Sequence, residues 1–130
     1  MADYLLDSNV LIHHLRERPA VTALLRQWAE TGDLFISVVT RTEIVAGMQP
    51  HEEAVTLSLL DSLISLPVTA PIADQAGRWI YQYARRGVQL SFPDAIIAAT
   101  AELHDLTLAT TNVRHFPMEG LPIHPLQVGD

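Results

Sequence analysis

Tyr4-Leu5-Leu6-Asp7-Ser8-Asn9-Val10-Leu11-Ile12 passes from a short apolar run through three polar residues into a second apolar run. Tyr4 to Leu6 reads as a buried strand, Asp7-Ser8-Asn9 as a turn at its carboxyl end, and Val10 to Arg16 as a helix. The rest of the chain repeats this alternation. Pro19 starts a second helix, with Val21, Leu24, Leu25 and Trp28 at helical spacing and Gly32 as its stop. Leu34 to Val38 is a second strand, Thr40 to Met48 a short helix, and Glu52 to Ile64 a longer one with Val55, Leu59, Leu60 and Leu63 on one face. Leu66 to Thr69 is a third strand, and a helix from Ile72 to Arg86 stops at Gly87. Pro93 opens another helix to about His104, Leu108 to Thr110 is a fourth strand, and Pro122 to His124 a fifth. Strands separated by helices of this length imply an α/β fold in three layers: a parallel sheet of about five strands with helices on both faces.

Composition narrows the chemistry. The 130 residues are 48% hydrophobic, with no repeat or linker-like tract, and suit a single domain over 1–130 with its own core. No cysteine is present, so any metal must be held by oxygen or imidazole, and a reducing cytoplasm is the expected compartment. The opening Met-Ala-Asp-Tyr carries an acid rather than a basic stretch, and no apolar run approaches the roughly 20 residues that span a bilayer. A soluble protein without membrane contact is expected. All eight basic residues are Arg, which argues against a P-loop kinase, a Schiff-base enzyme or a receiver-type phosphorelay domain, each of which needs a Lys. The net charge of −7 argues against a grip on nucleic acid through a broad basic face.

Four polar residues fall at matching places: Asp7 after the first strand, Glu43 in the helix after the second, Asp94 at a helix start, and Asn112 after the fourth strand. Singly, each has a capping reading. Asp7 suits an N-cap, Thr40-Arg41-Thr42-Glu43 has a capping-box pattern, Asp94 lies in the first turn after Pro93, and Asn112 suits a cap for the turn Val113 to Phe116. Together they lie at the carboxyl edge of a parallel sheet, where ligands bind in such folds. Capping alone does not predict that convergence. Three carboxylates brought close repel one another, so one is protonated or a divalent cation lies between them; oxygen-only donors select Mg²⁺ or Mn²⁺. Phosphodiester hydrolysis is the reaction such a site suits.

Four segments carry a family resemblance. They are Leu5-Leu6-Asp7-Ser8-Asn9-Val10-Leu11-Ile12, Ser37-Val38-Val39-Thr40-Arg41-Thr42-Glu43-Ile44-Val45-Ala46-Gly47, Pro93-Asp94-Ala95-Ile96-Ile97-Ala98-Ala99-Thr100-Ala101, and Thr110-Thr111-Asn112-Val113-Arg114-His115-Phe116. In order and content they resemble the signature blocks of PIN-domain proteins, specifically the VapC-type toxins of toxin-antitoxin pairs. The resemblance implies a metal-dependent endoribonuclease on a five-stranded parallel sheet, usually dimeric and held inactive by a VapB-type antitoxin, with products bearing 5′-phosphate and 3′-hydroxyl. It implies that Asp7, Glu43 and Asp94 bind the metal. Asn112 stands at a position where many members have Asp; its amide oxygen can bind a metal or a metal-bound water but cannot accept a proton, which argues against a general-base role. Ser8, Thr40 and Thr111 match small hydroxyl positions expected to hydrogen-bond the carboxylates.

Other residues have plainer readings. His13 and His14 point about 100° apart on a helix and cannot share one metal, so they are read as surface or interface residues. Arg41 and Arg114, next to Glu43 and Asn112, are candidates for RNA contact, as is His115, while Phe116 reads as a packing anchor. Arg85-Arg86-Gly87 reads as a helix end, with a phosphate clamp as the rival. Aromatic residues, at 6%, show no stacking platform, and Trp28, Trp79, Tyr81 and Tyr83 are read as packing residues. Val10-Leu11-Ile12, Leu24-Leu25 and Leu57 to Leu60 carry apolar surface suited to a partner helix, a dimer face or burial within the monomer. Two functions follow from different classes: a metal-dependent ribonuclease, and a catalytically silent PIN-like module that binds a partner through these helices. Metal binding separates them.

Overall fold

The computed structural model describes residues 3–128. Strand β1 (Tyr4–Leu6) leads into α1 (Ser8–Leu15) and α2 (Pro19–Thr31), followed by β2 (Leu34–Ser37) and α3 (Val38–Gly47). A 3-10 turn at Pro50–Glu52 precedes α4 (Glu53–Asp61) and β3 (Ile64–Leu66). The packed helices α5 (Ala70–Ala84) and α6 (Phe92–Leu103) come next, then β4 (Thr107–Thr110), a 3-10 turn at Val113–His115 and β5 (Ile123–Pro125). The five strands form one sheet in the order β3-β2-β1-β4-β5, and every pair is parallel. The expected three-layer α/β architecture is present.

Strand alternation explains the two cores. Leu5 and Leu108 point to one face, where α5 and α6 bring Ile72, Ala76, Trp79, Tyr83 and Ile97. Leu6, Ile36 and Ala109 point to the other, against Val10, Leu11, Val21, Leu25, Trp28 and Leu60. Side chains of period two must part to opposite faces, so a central strand such as β1 is apolar on both, and Leu5 and Leu6 are fully buried. Helix α3 packs against α1, α4 and α6 near the carboxyl edge. No helix among the described residues is long and apolar enough to cross a membrane.

Several expected boundaries move, each for a local reason. Strand β3 is Ile64–Leu66 rather than Leu66–Thr69: Pro67 lacks the N–H for a ladder bond, and the Thr69 hydroxyl accepts from Ile72 N at 3.4 Å to cap α5. Helix α4 is correspondingly shorter than Glu52–Ile64, and its buried stripe runs through Thr56 and Leu60, leaving Val55 68% exposed. Helix α3 begins at Val38 because the Ser37 hydroxyl accepts from Val39 N at 3.1 Å. The capping box of Thr40 to Glu43 is therefore not formed, and both side chains are free for other partners one turn inside the helix. Helix α1 starts at Ser8 with Asp7 as its N-cap, and α6 at Phe92 with Ser91 as its cap. Trp28, Trp79 and Tyr83 are buried as packing residues, whereas Tyr81 is exposed.

Candidate active site

Asp7 is the centre of the carboxyl edge. It follows the last residue of β1, and its N–H donates to the Ala109 carbonyl at 2.9 Å, which continues the β1–β4 ladder one step beyond the strands. Its side chain is almost wholly buried. Oδ1 accepts from Ser8 N at 2.8 Å and Oδ2 from the Thr110 hydroxyl at 2.7 Å, so both carboxylate oxygens have a protein donor. Asp7 is thus both the cap its position suggested and a member of the site.

Glu43 joins from α3. The Ser8 hydroxyl donates to Glu43 Oε1 at 2.6 Å and lies 3.5 Å from the Thr40 hydroxyl, linking the end of β1 to α3 through one side chain. Thr40 and Glu43 are three residues apart, which puts them on the same helix face toward Ser8. Asp94 joins from the first turn of α6, its N–H donating to Ser91 Oγ at 3.2 Å and its Oδ2 3.5 Å from His115 Nδ1. Asn112 is half-buried after β4, and its N–H donates to Thr110 Oγ1 at 2.9 Å.

The electrostatics tie the three acids together. The Asp7 carboxyl is pushed above the ordinary aspartate range, first by burial and then by the charges of Asp94 and Glu43, against the hydrogen bonds from Thr110 and Ser8 that favour the charged form. Among the described residues no three His, Asp or Glu side chains already close around one point. The donor set nonetheless suits a hard divalent cation: the charges of Asp94 and Glu43 both act on Asp7, the atoms the three acids offer are carboxylate oxygens, and the chain has no Lys to offset them.

Other sequence-selected residues divide clearly. Ser8 and Thr40 lie within the network. The hydroxyl that reaches Asp7 from β4 belongs to Thr110, not to Thr111; residues alternate along a strand, and Thr110 shares the face on which Asp7 extends β1. Two adjacent threonines at a strand end are alike in sequence, and only the strand register distinguishes Thr110 from Thr111. Arg41 points away from the carboxylates, paired with Asp61 at 2.9 Å and donating to Ser65 Oγ at 3.2 Å. Arg114 and His115 are exposed beside Asn112. His14 lies near Thr22 Oγ1, 3.2 Å from its Nδ1, away from the acids. A groove of about 700 Å³ runs between α1, α3 and α4, lined by Ile12, Leu15, Ile44, Val55 and Thr56, with Glu43 on its wall.

This sheet order, with acids converging from the end of β1, from α3 and from α6, has a specific counterpart among known families. The PIN domain model matches residues 4–117. The chain is 43% identical to Ribonuclease VapC10 of Mycobacterium tuberculosis over 114 residues, which is 88% of this chain and 86% of that protein. A toxin-antitoxin complex from Klebsiella pneumoniae contains a chain with TM-score 0.80 and 29% identity, covering 96% of this chain and 99% of that one. A DNA-bound VapBC structure from Salmonella typhimurium matches with TM-score 0.83 and 25% identity over 96% of this chain and 98% of that chain. The chain belongs to the PIN-domain family, in its VapC-type branch.

Proposed function

We propose that this protein is a Mg²⁺- or Mn²⁺-dependent endoribonuclease, acting in the cytoplasm as the toxin of a toxin-antitoxin pair. Its partner is a VapB-type antitoxin, its working form a homodimer, and its substrate RNA. The observation that carries this reading is the convergence of three acids at the carboxyl edge of the sheet: Ser8 donates to both Asp7 and Glu43, and the charges of Asp94 and Glu43 both act on the buried Asp7. Similarity to Ribonuclease VapC10 supports the substrate class.

Asp7, Glu43 and Asp94 would hold the ion, and Asn112 would complete its surroundings through an amide oxygen. When bound, such an ion supplies a polarised phosphoryl oxygen and a water of lowered pKa. The protein's own groups prepare the site. Thr110 and Ser8 donate to the two Asp7 oxygens, which fixes the carboxylate plane and favours its charged form. Ser8 fixes Glu43 through its hydroxyl. Hydrolysis breaks the bond from phosphorus to the 3′-oxygen and leaves 5′-phosphate and 3′-hydroxyl ends. The apolar groove beside Glu43 offers a segment of the antitoxin a place to bind within reach of the site.

The test is cleavage of a total RNA pool by the purified, partner-free protein with Mg²⁺ or Mn²⁺ against EDTA. Cleavage that needs the ion supports the reading. No cleavage with either ion would overturn it in favour of a silent binding module.

A further inference from the structure

The chain is acidic overall, yet the α5–α6 connection that leads to Asp94 carries cations with no ion-pair partner among the described residues. Arg85 and Arg86 close α5, and among the described residues neither they nor Arg114 form an ion pair with Asp or Glu. Two of these guanidinium groups lie on aromatic rings instead. Arg85 donates to Tyr81 Oη at 2.7 Å with its central carbon 5.3 Å from that ring's centre, and Arg86 lies 4.4 Å from the centre of the Tyr83 ring. Across the 85–91 connection Phe92 opens α6 with 67% of its surface exposed, and Tyr81 is 62% exposed. Phe92 is the first residue of the helix whose third residue is Asp94.

We propose that the α5–α6 connection grips single-stranded RNA, with Phe92 stacked on the nucleobase next to the phosphate at the carboxylates and Arg85 and Arg86 on flanking phosphates. This rests on the ribonuclease reading and adds what holds the strand. Phe92 and Asp94 lie in the same first turn of α6 but project from different sides of it, so the nucleotide next to a scissile phosphate at Asp94 reaches the ring by curving around the helix end. Every base offers a π-face, so a lone aromatic ring binds RNA without demanding a sequence. An Arg held on a ring rather than on a carboxylate keeps its planar donors available for phosphate. A second copy of the chain would bring the same cations to the same patch across a twofold contact, whereas a phosphodiester chain neutralises them. Aromatic and basic residues are sparse in the chain, and Tyr81, Arg85, Arg86 and Phe92 flank this connection.

The test uses the full chain with Asp7→Asn, so that nothing is cleaved, and fluorescein-labelled oligo(A) or an abasic ribose-phosphate oligomer at low salt with Mg²⁺. Adding Phe92→Ala should weaken oligo(A) binding about five- to tenfold and leave the abasic oligomer unchanged. Phe92→Trp should restore affinity and show indole fluorescence quenched by oligo(A). Equal oligo(A) affinity with and without Phe92→Ala overturns the proposal, as does equal loss on both oligomers. A fall in sedimentation mass on Phe92→Ala also overturns it and makes the ring a contact between copies. If oligo(A) fails to bind while the wild-type chain still cleaves total RNA, only the grip falls. If neither occurs, the ribonuclease reading falls with it.

Discussion

The Thr110 hydroxyl donates to Asp7 Oδ2 at 2.7 Å, joining two residues 103 positions apart in the chain. It exists because β4 lies directly beside β1 in the sheet, so the two strand ends meet at the carboxyl edge. The same hydroxyl accepts from Asn112 N at 2.9 Å, which relays the position of the Asn112 backbone to the central acid.

Thr110→Val removes the donor and keeps the shape. With the hydrogen bond that favours charged Asp7 gone, the Asp7 carboxyl rises further, and protons compete better with a divalent ion. The expected result is a roughly tenfold higher Mg²⁺ requirement for RNA cleavage and a pH optimum shifted upward. Mg²⁺ titrations of cleavage at several pH values check this. An unchanged Mg²⁺ requirement would remove Thr110 from the account.

Asp7→Asn should stabilise the ion-free fold while abolishing cleavage. Burial and the charges of Asp94 and Glu43 raise the Asp7 carboxyl in the folded state, so its contribution is fully favourable below the unfolded value of 3.8 and is lost as pH rises through the folded value. At neutral pH the variant escapes that loss and should melt a few degrees higher than wild type in EDTA. The gap should close toward acid pH in thermal melts, and a lower melting point for the variant at pH 7 would contradict the assignment.

His14 predicts a separate acid sensitivity. Burial, aided by the nearby Arg26 charge, lowers its imidazole below the ordinary 6.5. A base so depressed stabilises the fold above the unfolded value, and that stability is lost as pH falls from 6.5 toward the folded value. His14→Gln should flatten the melting temperature between pH 7 and 5 relative to wild type. Parallel curves for the two proteins would show that His14 does not titrate with folding.

Tyr83 holds the segment after Asn112 to α5. Its hydroxyl donates to the Pro117 carbonyl at 2.9 Å from a buried ring. Tyr83→Phe should cost about 1 kcal/mol in urea unfolding with little change in cleavage. A loss of cleavage as large as that of Asp7→Asn would mean that this tether positions Asn112 for chemistry.

Much of this was legible in the sequence, for identifiable reasons. Strand alternation at Leu5 and Leu6, helical spacing in α2 and the polar turn at Asp7 are local patterns, and local patterns fix the order of elements. The convergence of Asp7, Glu43 and Asp94 followed from the rule that parallel strands present their ends at one edge. What escaped depended on register or on distant pairing. The choice of Thr110 over Thr111 is a one-residue question of strand phase. Arg41, a candidate for RNA contact from its neighbour Glu43, is paired in the fold with Asp61, twenty residues on, which its local sequence does not reveal. Strand β3 ends before Val68 and Thr69 despite their strand-like side chains, because Pro67 and the start of α5 set the backbone there.

The proposed divalent-cation site needs Asp7, Glu43 and Asp94 together. Calorimetric titration of Mn²⁺ into the partner-free protein tests it directly, with Asp7→Asn and Asp94→Asn alongside. The expected result is saturable binding by wild type, lost or severely weakened in each variant while their folds persist. Wild-type protein that takes up no Mn²⁺, or variants that bind it as wild type does, would contradict it.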